Sequence, residues 1–297
     1  MEEIVHLNRS LVPLSQARLS PLDHGFLYGY GLFETMRAYS GHIFRLEAHL
    51  ARLRRAAAFL GLGLDHLPDL SQALYETLDA NHLTNARIRL TLSGGAGEPV
   101  PDVTACREPT LLITAREYVP HPDSVYRQGF RVAVSAISRN TRSPLSGLKT
   151  LSYLDNLLAR KEARLAGADE AIMLNEQGFV AEGSTSNVFL VSGNALRTPG
   201  EDCGILPGVT RSVVLDLART AGLATVEEKM APGDFALADE AFCTNSLIEI
   251  MPVTAFDGRA VGRGVPGEVT AKLTAAYREL VVSASRRGDH PADTGYR

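Results

Sequence analysis

Four features able to do chemistry follow one another along this chain: a primary amine, a carboxylate, a helix start and a polar break in a strand. The amine is Lys149, in "SGLKTLSYLDNLLARKEA". The chain has 30 basic side chains, yet only four are lysines: Lys149, Lys161, Lys229 and Lys272. The other three lie beside charged residues or in polar helical patterns. Lys149 stands among Ser146, Gly147, Leu148, Thr150 and Leu151. Burying an ammonium without a partner is costly, and buried lysines shift their pKa. Lys149 therefore reads in two ways. It is a lysine that snorkels just ahead of a helix, or a desolvated amine that can form a Schiff base, which arginine cannot.

The carboxylate is Glu182, in "FVAEGSTSNVF". It follows a strand and precedes Gly183, Ser184, Thr185 and Ser186. Such a group faces solvent or caps a turn; beside a pyridine nitrogen it would hold the ring's proton and make the ring an electron sink. The helix start is "ILPGVTRSVV". Free N–H groups and a positive dipole end suit a phosphate there, and Thr210 adds a hydroxyl; the plain alternative is an ordinary capped helix. In "CTNSLIEIMPV", Asn245 and Ser246 interrupt an apolar pattern, either to meet a phosphate from another side or to make a turn.

The elements that must hold these residues follow from periodicity. "EEIVHLN" reads as a strand, and "GLFETMRAYSGHIFRL" as two strands about Ser40-Gly41. "LEAHLARLRRAAAFLGLG" has helical spacing and stops at glycines; its His49 reads as a packing or capping residue. "LPDLSQALYETLDANHL" is a second helix. "ARIRLTLSGG" and "PTLLITAREY" are strands. "VPHPDSVYRQG" has two prolines and little pattern, and reads as a linker. Beyond it come the strand "FRVAVSAI", an amphipathic helix "SYLDNLLARKEARLAG", and three short strands across "DEAIMLNEQGFVAEGSTSNVFLV". "LPGVTRSVVLDLARTAG" is a turn and a helix, "TVEEKM" a strand, and "DEAFCTNSLIEIMPVTAFDG" two strands around a polar break. "VPGEVTAKLTAAYRELVVSASRR" is a last helix, before a polar tail.

Bulk properties narrow the choice. A length of 297 residues, 45% hydrophobic and 22% charged, suits a globular chain of two domains. A net charge of −4 gives no reason to expect nucleic acid or an anionic membrane. No apolar run approaches the ~20 residues of a membrane span. "MEEIVHLNRS" has no apolar stretch, so no secretory signal is expected. Cys106, Cys203 and Cys243 are odd in number and far apart, which fits reduced thiols in the cytoplasm. There is no P-loop, GxSxG, HExxH or CxxC, and no metal-ligand spacing among the histidines.

Taken in order, "DHGFLYGYGLFETMR", "HLARL", the Lys149 stretch, "VAEGSTSNVF", "LPGVTR" and "TNSLIEIMPV" resemble the class IV family of pyridoxal-phosphate enzymes, of fold type IV. That family includes branched-chain aminotransferases, D-amino acid aminotransferases and aminodeoxychorismate lyases. The resemblance spans roughly residues 4–280. It implies a mixed α/β, two-domain fold: a smaller N-terminal α/β domain over 1–118, a linker over 119–128, a larger mixed-sheet cofactor domain over 129–285, and a flexible tail over 286–297. Lys149 would carry pyridoxal 5'-phosphate as an internal aldimine, and Glu182 would pair with the pyridine nitrogen. Arg52, Val209, Thr210, Asn245 and Ser246 would hold the phosphate. Leu206 would pack on the ring, and Asn187 would give structural support. Tyr153 would bond the ring's phenolic oxygen; as i and i+4 on a helix it and Lys149 would share a face. The resemblance also implies a homodimer in which Tyr28 reaches the neighbouring subunit's site. Phe33, Thr35 and Arg37 would line the substrate pocket. Arg37, Arg89 and Arg142 are candidates for the substrate carboxylate, and Arg89 falls at a family position that is basic in several subgroups.

The expected activity is ping-pong transamination between an L-branched-chain or D-amino acid and a 2-oxo acid. Thr35 in "FET", together with "TNSLIEI", resembles the lyases instead, which would release 4-aminobenzoate and pyruvate from aminodeoxychorismate. Pro99 stands where many lyases carry a basic residue. "SGGAGEPVPD" also lacks the Arg-x-His of typical D-amino acid enzymes. A non-catalytic binding protein on the same scaffold is a third reading, against which stands the joint retention of Lys149, Glu182, Arg52 and Thr210.

Overall fold

The computed structural model describes residues 2–106 and 108–287. These fall into two compact units. One takes residues up to Val119, the segment Leu148–Ser152 and the chain from Val281 on; the other takes Pro120–Gly147 and Tyr153–Leu280.

The first unit contains, in chain order, β1 (Ile4–Leu7), β2 (Ser10–Pro13), α1 (His24–Tyr28), β3 (Gly31–Tyr39), β4 (His42–Ile43), α2 (Leu46–Leu60), α3 (Leu70–Ala80), β5 (Ala86–Ser93) and β6 (Thr110–Glu117). Among the described residues its strands form a six-stranded antiparallel sheet, in the order β2-β1-β6-β5-β3-β4. Side chains alternate across each strand. Leu32, Met36 and Ala38 of β3, Ile88, Leu90 and Leu92 of β5, and Leu111, Ile113 and Ala115 of β6 form a core with α2 and α3. The odd-numbered residues of β3 and β5 occupy the other face. On α2, Leu46, His49, Leu50, Leu53, Ala56 and Ala57 are buried, one stripe at helical spacing. The helix ends at Gly61, whose left-handed φ of 74° closes the last turn.

The second unit contains α4 (Asp123–Gln128), β7 (Phe130–Val134), α5 (Leu154–Leu165), β8 (Glu170–Leu174), β9 (Val180–Gly183), β10 (Asn187–Ser192), β11 (Ala195–Thr198), α6 (Val209–Thr220), β12 (Ala224–Glu227), β13 (Glu240–Asn245), β14 (Glu249–Phe256), β15 (Arg259–Ala260) and α7 (Glu268–Arg287), whose last turns group with the first unit. Its described strands make a nine-stranded mixed sheet, β12-β11-β10-β13-β14-β7-β8-β9, with β15 beside β14. Val188, Leu190, Ala241, Cys243, Met251 and Val253 lie in its core.

Several elements differ from the periodicity reading. Residues 123–128 are helical where a linker was expected. Pro122 is the N-cap, Asp123 suits the helix dipole, and Val125 and Tyr126 pack onto the second core. The tight strand β11 and the five-residue α1 carry too few residues to show a period. Helix α5 begins at Leu154, two residues later than "SYLD" suggests. The expected flexible tail over 286–297 overlaps the end of α7 at residues 286 and 287, and its remainder lies outside the described residues. No helix among the described residues is long and apolar enough to cross a membrane.

Leu50 is fully buried where α2 meets the first sheet. Leu50→Ala is expected to cost about 3 kcal/mol, through lost transfer energy and the cavity left behind. Urea unfolding followed by circular dichroism measures it.

Candidate active site

The residues singled out in the sequence divide between the two units. In the first unit, Lys149 lies in an extended segment paired to β3. The Phe33 N–H donates to the Lys149 carbonyl at 2.9 Å, and the Leu151 N–H donates to the Gly31 carbonyl at 2.9 Å. Thr150 bridges Leu32. This corrects the expectation that Lys149 and Tyr153 share a helical face: Lys149 precedes the helix, and Tyr153 is the N-cap of α5. The strand pairing replaces the helix because backbone donors on β3 are open to Leu148–Ser152 there.

The pairing turns Lys149 toward Phe33. Its Nζ lies 4.5 Å from the Phe33 ring centroid, and the Arg89 guanidinium carbon lies 3.9 Å from the same ring. Phe33 is opposite Thr91, and Thr35 is opposite Arg89, so Phe33, Thr35 and Arg89 share one sheet face. Arg37 is on that face too, stacked over Tyr39 at 4.3 Å and Tyr118 at 4.8 Å. Lys161, Lys229 and Lys272 are exposed, whereas Lys149 is half-buried. Arg142 is exposed in the second unit. Tyr28 is partly exposed on α1, edge-on to His24 at 4.9 Å.

Arg52 is buried on α2, and sequence reading missed its partner. Its Nε donates to Glu34 Oε1 at 2.8 Å and its Nη2 to Oε2 at 2.6 Å; His49 Nδ1 is 2.8 Å from the same Oε2. Burial alone would raise the Glu34 carboxyl; the Arg52 charge and the bonds from His49 and Arg52 outweigh it and hold it at about 2. Burial lowers the His49 pKa, against the pull of Glu34. A signal was present: Glu34 sits among Leu32, Met36 and Ala38 on the core face, where a carboxylate needs cations.

In the second unit, Glu182 is buried on β9. Its Oε2 accepts from the Leu206 N–H at 3.0 Å and from Asn187 Nδ2 at 3.4 Å, and Arg139 Nη2 stands 3.3 Å from Oε1. Arg139 had no mark in the sequence. Asn187 also donates to the Leu206 carbonyl at 2.9 Å, so it ties the "LPG" turn to the carboxylate. The Tyr153 hydroxyl donates to the Ser184 carbonyl at 3.1 Å. Burial raises its pKa first, and the charges of Glu182 and Glu170 add to that.

Glu170 is a second residue that the sequence did not expose. Ser184, Thr185 and Ser186 all donate hydroxyls to it, and the Ala171 N–H donates at 2.8 Å. Asn245 is spent on structure: its Nδ2 donates to the Thr185 carbonyl at 3.0 Å, and its Oδ1 accepts from the Leu247 and Ile248 N–H groups. Ser246 follows it in the same turn. Helix α6 starts at Gly208 with no side-chain cap and no acid in its first turn, and Thr210 there is buried. A Cβ at Gly208 would lie 1.9 Å from Asn187 Oδ1, so only glycine admits this approach. The structure thus brings together Tyr153, Glu182, Leu206, Val209, Thr210, Asn245 and Ser246 in one unit. It places Tyr28, Phe33, Thr35, Arg37, Arg52, Arg89 and Lys149 in the other.

The amino-transferase class IV family model matches residues 31–256. The chain is 37% identical over 278 residues to a putative branched-chain-amino-acid aminotransferase of Methanocaldococcus jannaschii, covering 93% of this chain and 96% of that one. It is 35% identical over 281 residues to the aminodeoxychorismate lyase of Bacillus subtilis, covering 94% of each. The solved structure of the branched-chain amino acid aminotransferase from Thermobaculum terrenum, in its PLP (holo) form, matches with a TM-score of 0.85 at 29% identity, covering 96% of this chain and 96% of that one.

The buried Glu34–Arg52–His49 cluster sets an acid limit. A carboxyl lowered from 4.5 to about 2 adds stability that is complete above its unfolded value and lost as pH falls toward 2. His49, held below 6.5, also loses stability as pH falls, because it must take up a proton on unfolding. Unfolding free energy should therefore drop as acid is added below pH 6.5. Glu34→Gln should cost about 3 kcal/mol at neutral pH, by removing the carboxylate charge that the buried Arg52 and His49 face, and should flatten the acid slope. Urea titrations at stepped pH test both.

Proposed function

The chain belongs to the amino-transferase class IV family, and from that premise we propose that it is a pyridoxal-phosphate-dependent aminotransferase, moving an amino group between an amino acid and a 2-oxo acid. The observation that carries this reading is the placement of Lys149: an amine held over Phe33, with Arg89 on the same ring. An aldehyde cofactor needs a primary amine, and an amino acid needs a cation for its carboxylate.

The residues present fit the cofactor. Its phosphate suits the uncapped start of α6, where Thr210 is buried. Near it, the buried Thr244 hydroxyl has no hydrogen-bond partner among the described residues. Its ring nitrogen suits Glu182, fixed by Leu206, Asn187 and Arg139. When bound, pyridoxal phosphate supplies the electron sink that lets the bond from the α-carbon to hydrogen break.

Each residue then has a task. Lys149 Nζ would hold the cofactor covalently between turnovers and, once displaced by substrate, take the α-proton as a neutral amine. Glu182 would keep the ring nitrogen protonated. Val209, Thr210, Asn245 and Ser246 would bind the phosphate, Asn245 through its backbone because its side chain is spent. Arg52 would join them in binding the phosphate. Tyr153 would bond the phenolic oxygen as a protonated phenol, and Leu206 would pack on the ring. Phe33, Thr35 and Arg37 would line the substrate pocket, and Arg89, the guanidinium stacked beside Lys149, would take the substrate carboxylate.

The substrates we infer are an L-branched-chain or a D-amino acid. We also infer a homodimer, supported by the apolar surface of α1, where Phe26 is 80% exposed and Tyr28 43%. In it Tyr28 would reach the neighbouring subunit's site. A cytoplasmic setting fits the free thiols of Cys106, Cys203 and Cys243. Lyase action on aminodeoxychorismate is the second reading, favoured by Thr35 on the face beside Arg89.

Borohydride reduction followed by peptide mass mapping should place the cofactor's mass on Lys149; its absence there sinks the reading. Lys149→Ala should lower transamination by at least about a thousandfold. Arg89→Gln should raise KM for the amino acid about tenfold or more with a smaller change in kcat. Amino acids of both hands and aminodeoxychorismate, offered in turn, separate the readings: release of 4-aminobenzoate with pyruvate would put the lyase first.

A further inference from the structure

Thr244 lies one residue from the end of β13, and its side chain is 1% exposed. Its hydroxyl is among the buried polar atoms that meet no partner in the described residues. A hydroxyl removed from water without a partner is costly, so its retention in a tightly packed strand calls for a reason.

The strand register shows where it faces. Thr244 is directly opposite Asn187 of β10, so the two side chains stand side by side on one sheet face. Asn187 touches the start of α6: its Oδ1 occupies the space a Cβ at Gly208 would need, and its Nδ2 holds the Leu206 carbonyl. The next rung of the same face is the stacked pair Phe189 and Phe242, with centroids 4.9 Å apart. Apolar rings therefore close that side, and Asn187 links Thr244 to the helix start. Helix α6 spans twelve residues and brings first-turn N–H groups without a side-chain cap, together with the buried Thr210. An unpaired donor beside such a helix start is suited to an anion.

We propose that Thr244 is a cofactor-anchoring residue, whose Oγ1 donates a hydrogen bond to the phosphate seated at the N-terminus of α6. This rests on the pyridoxal-phosphate reading above and adds a donor to it. It also explains why a polar side chain occupies a position where valine would pack as well. The cofactor-free chain then bears the cost of the hydroxyl, and the loaded chain recovers it.

The test uses the full chain freed of cofactor, as wild type, Thr244→Val and Thr244→Ser. Each is titrated with pyridoxal 5'-phosphate and with pyridoxal, which lacks the phosphate, and each is melted without ligand. Thr244→Val should weaken pyridoxal phosphate binding about tenfold or more and leave pyridoxal unchanged. Thr244→Ser should bind like wild type. The cofactor-free valine chain should melt no lower than wild type, because the unpaired hydroxyl is gone. A merely structural threonine would lower the melting point and weaken both ligands alike, which overturns the proposal. So does pyridoxal phosphate affinity within about twofold of wild type. Should the valine chain fail to fold, Thr244→Ala against Thr244→Ser decides in the same way. A wild-type chain that binds neither ligand refutes the cofactor reading itself, and this inference with it.

Discussion

The backbone pairing of Leu148–Ser152 along β3 is the constraint on which the chemistry of the first unit depends. Two N–H groups, those of Phe33 and Leu151, lock the register. An extended segment alternates, so Leu148 packs toward the first core and Thr150 is buried, while Lys149 emerges on the face of Phe33. A slip of one residue would send the amine into a core of leucines and isoleucines. A helix would give Lys149 one neighbour four residues on. The strand pairing gives it Phe33 and, across that ring, Arg89, from parts of the chain more than fifty residues away.

Three of the buried carboxylates, Glu34, Glu170 and Glu182, are each satisfied differently, and the differences follow their surroundings. Glu34 lies on a core face and is neutralised by a bidentate arginine, with a histidine bonded to the same oxygen. Glu170 accepts from the hydroxyls of Ser184, Thr185 and Ser186 and from the Ser184 N–H, and serves as the peg for the loop after β9. Glu182 has one backbone N–H, one amide and one nearby guanidinium. The first is a strong pair that orients Arg52, the second is a structural knot, and the third holds a carboxylate in place with donors gathered mostly on one oxygen.

Local patterns made much of this legible from sequence. The stripe of α2 and its glycine stop, the alternation of β5 and β6, and the Pro-Gly-Val-Thr start of α6 each lie within one short window. So do the signals at Lys149, Glu182, Thr210 and Ser246, each of which stands out against its own few neighbours, although the partners that position Lys149 and Glu182 are distant. What stayed hidden depends on distant partners. Arg139 meets Glu182 from 43 positions earlier. Glu170 reads as one more charge at a strand edge until the hydroxyls of Ser184, Thr185 and Ser186 close on it. Helix α4 was masked by its prolines, since its formation is decided by Val125 and Tyr126 finding the second core. Glu34 is an intermediate case: strand parity places it on the core face, and the helical spacing of His49 and Arg52 offers the cations.

The loop Gly183–Ser186 shows how composition can mislead where geometry does not. A run of serine and threonine after a glycine invites the reading of a ligand cradle. Here the three hydroxyls point to Glu170, and Arg160 adds a bond to Thr185 at 3.1 Å. The loop's carbonyls are held as well: Tyr153 and Asn156 bond that of Ser184, and Asn245 bonds that of Thr185. So many inward bonds fix the chain just beyond Glu182, with ties from Asn156 and Arg160 of α5, Glu170 of β8 and Asn245 of β13. The small polar residues of this loop therefore act on the carboxylate next to them, by making its backbone rigid, and the donors suited to an anion lie elsewhere, at the start of α6.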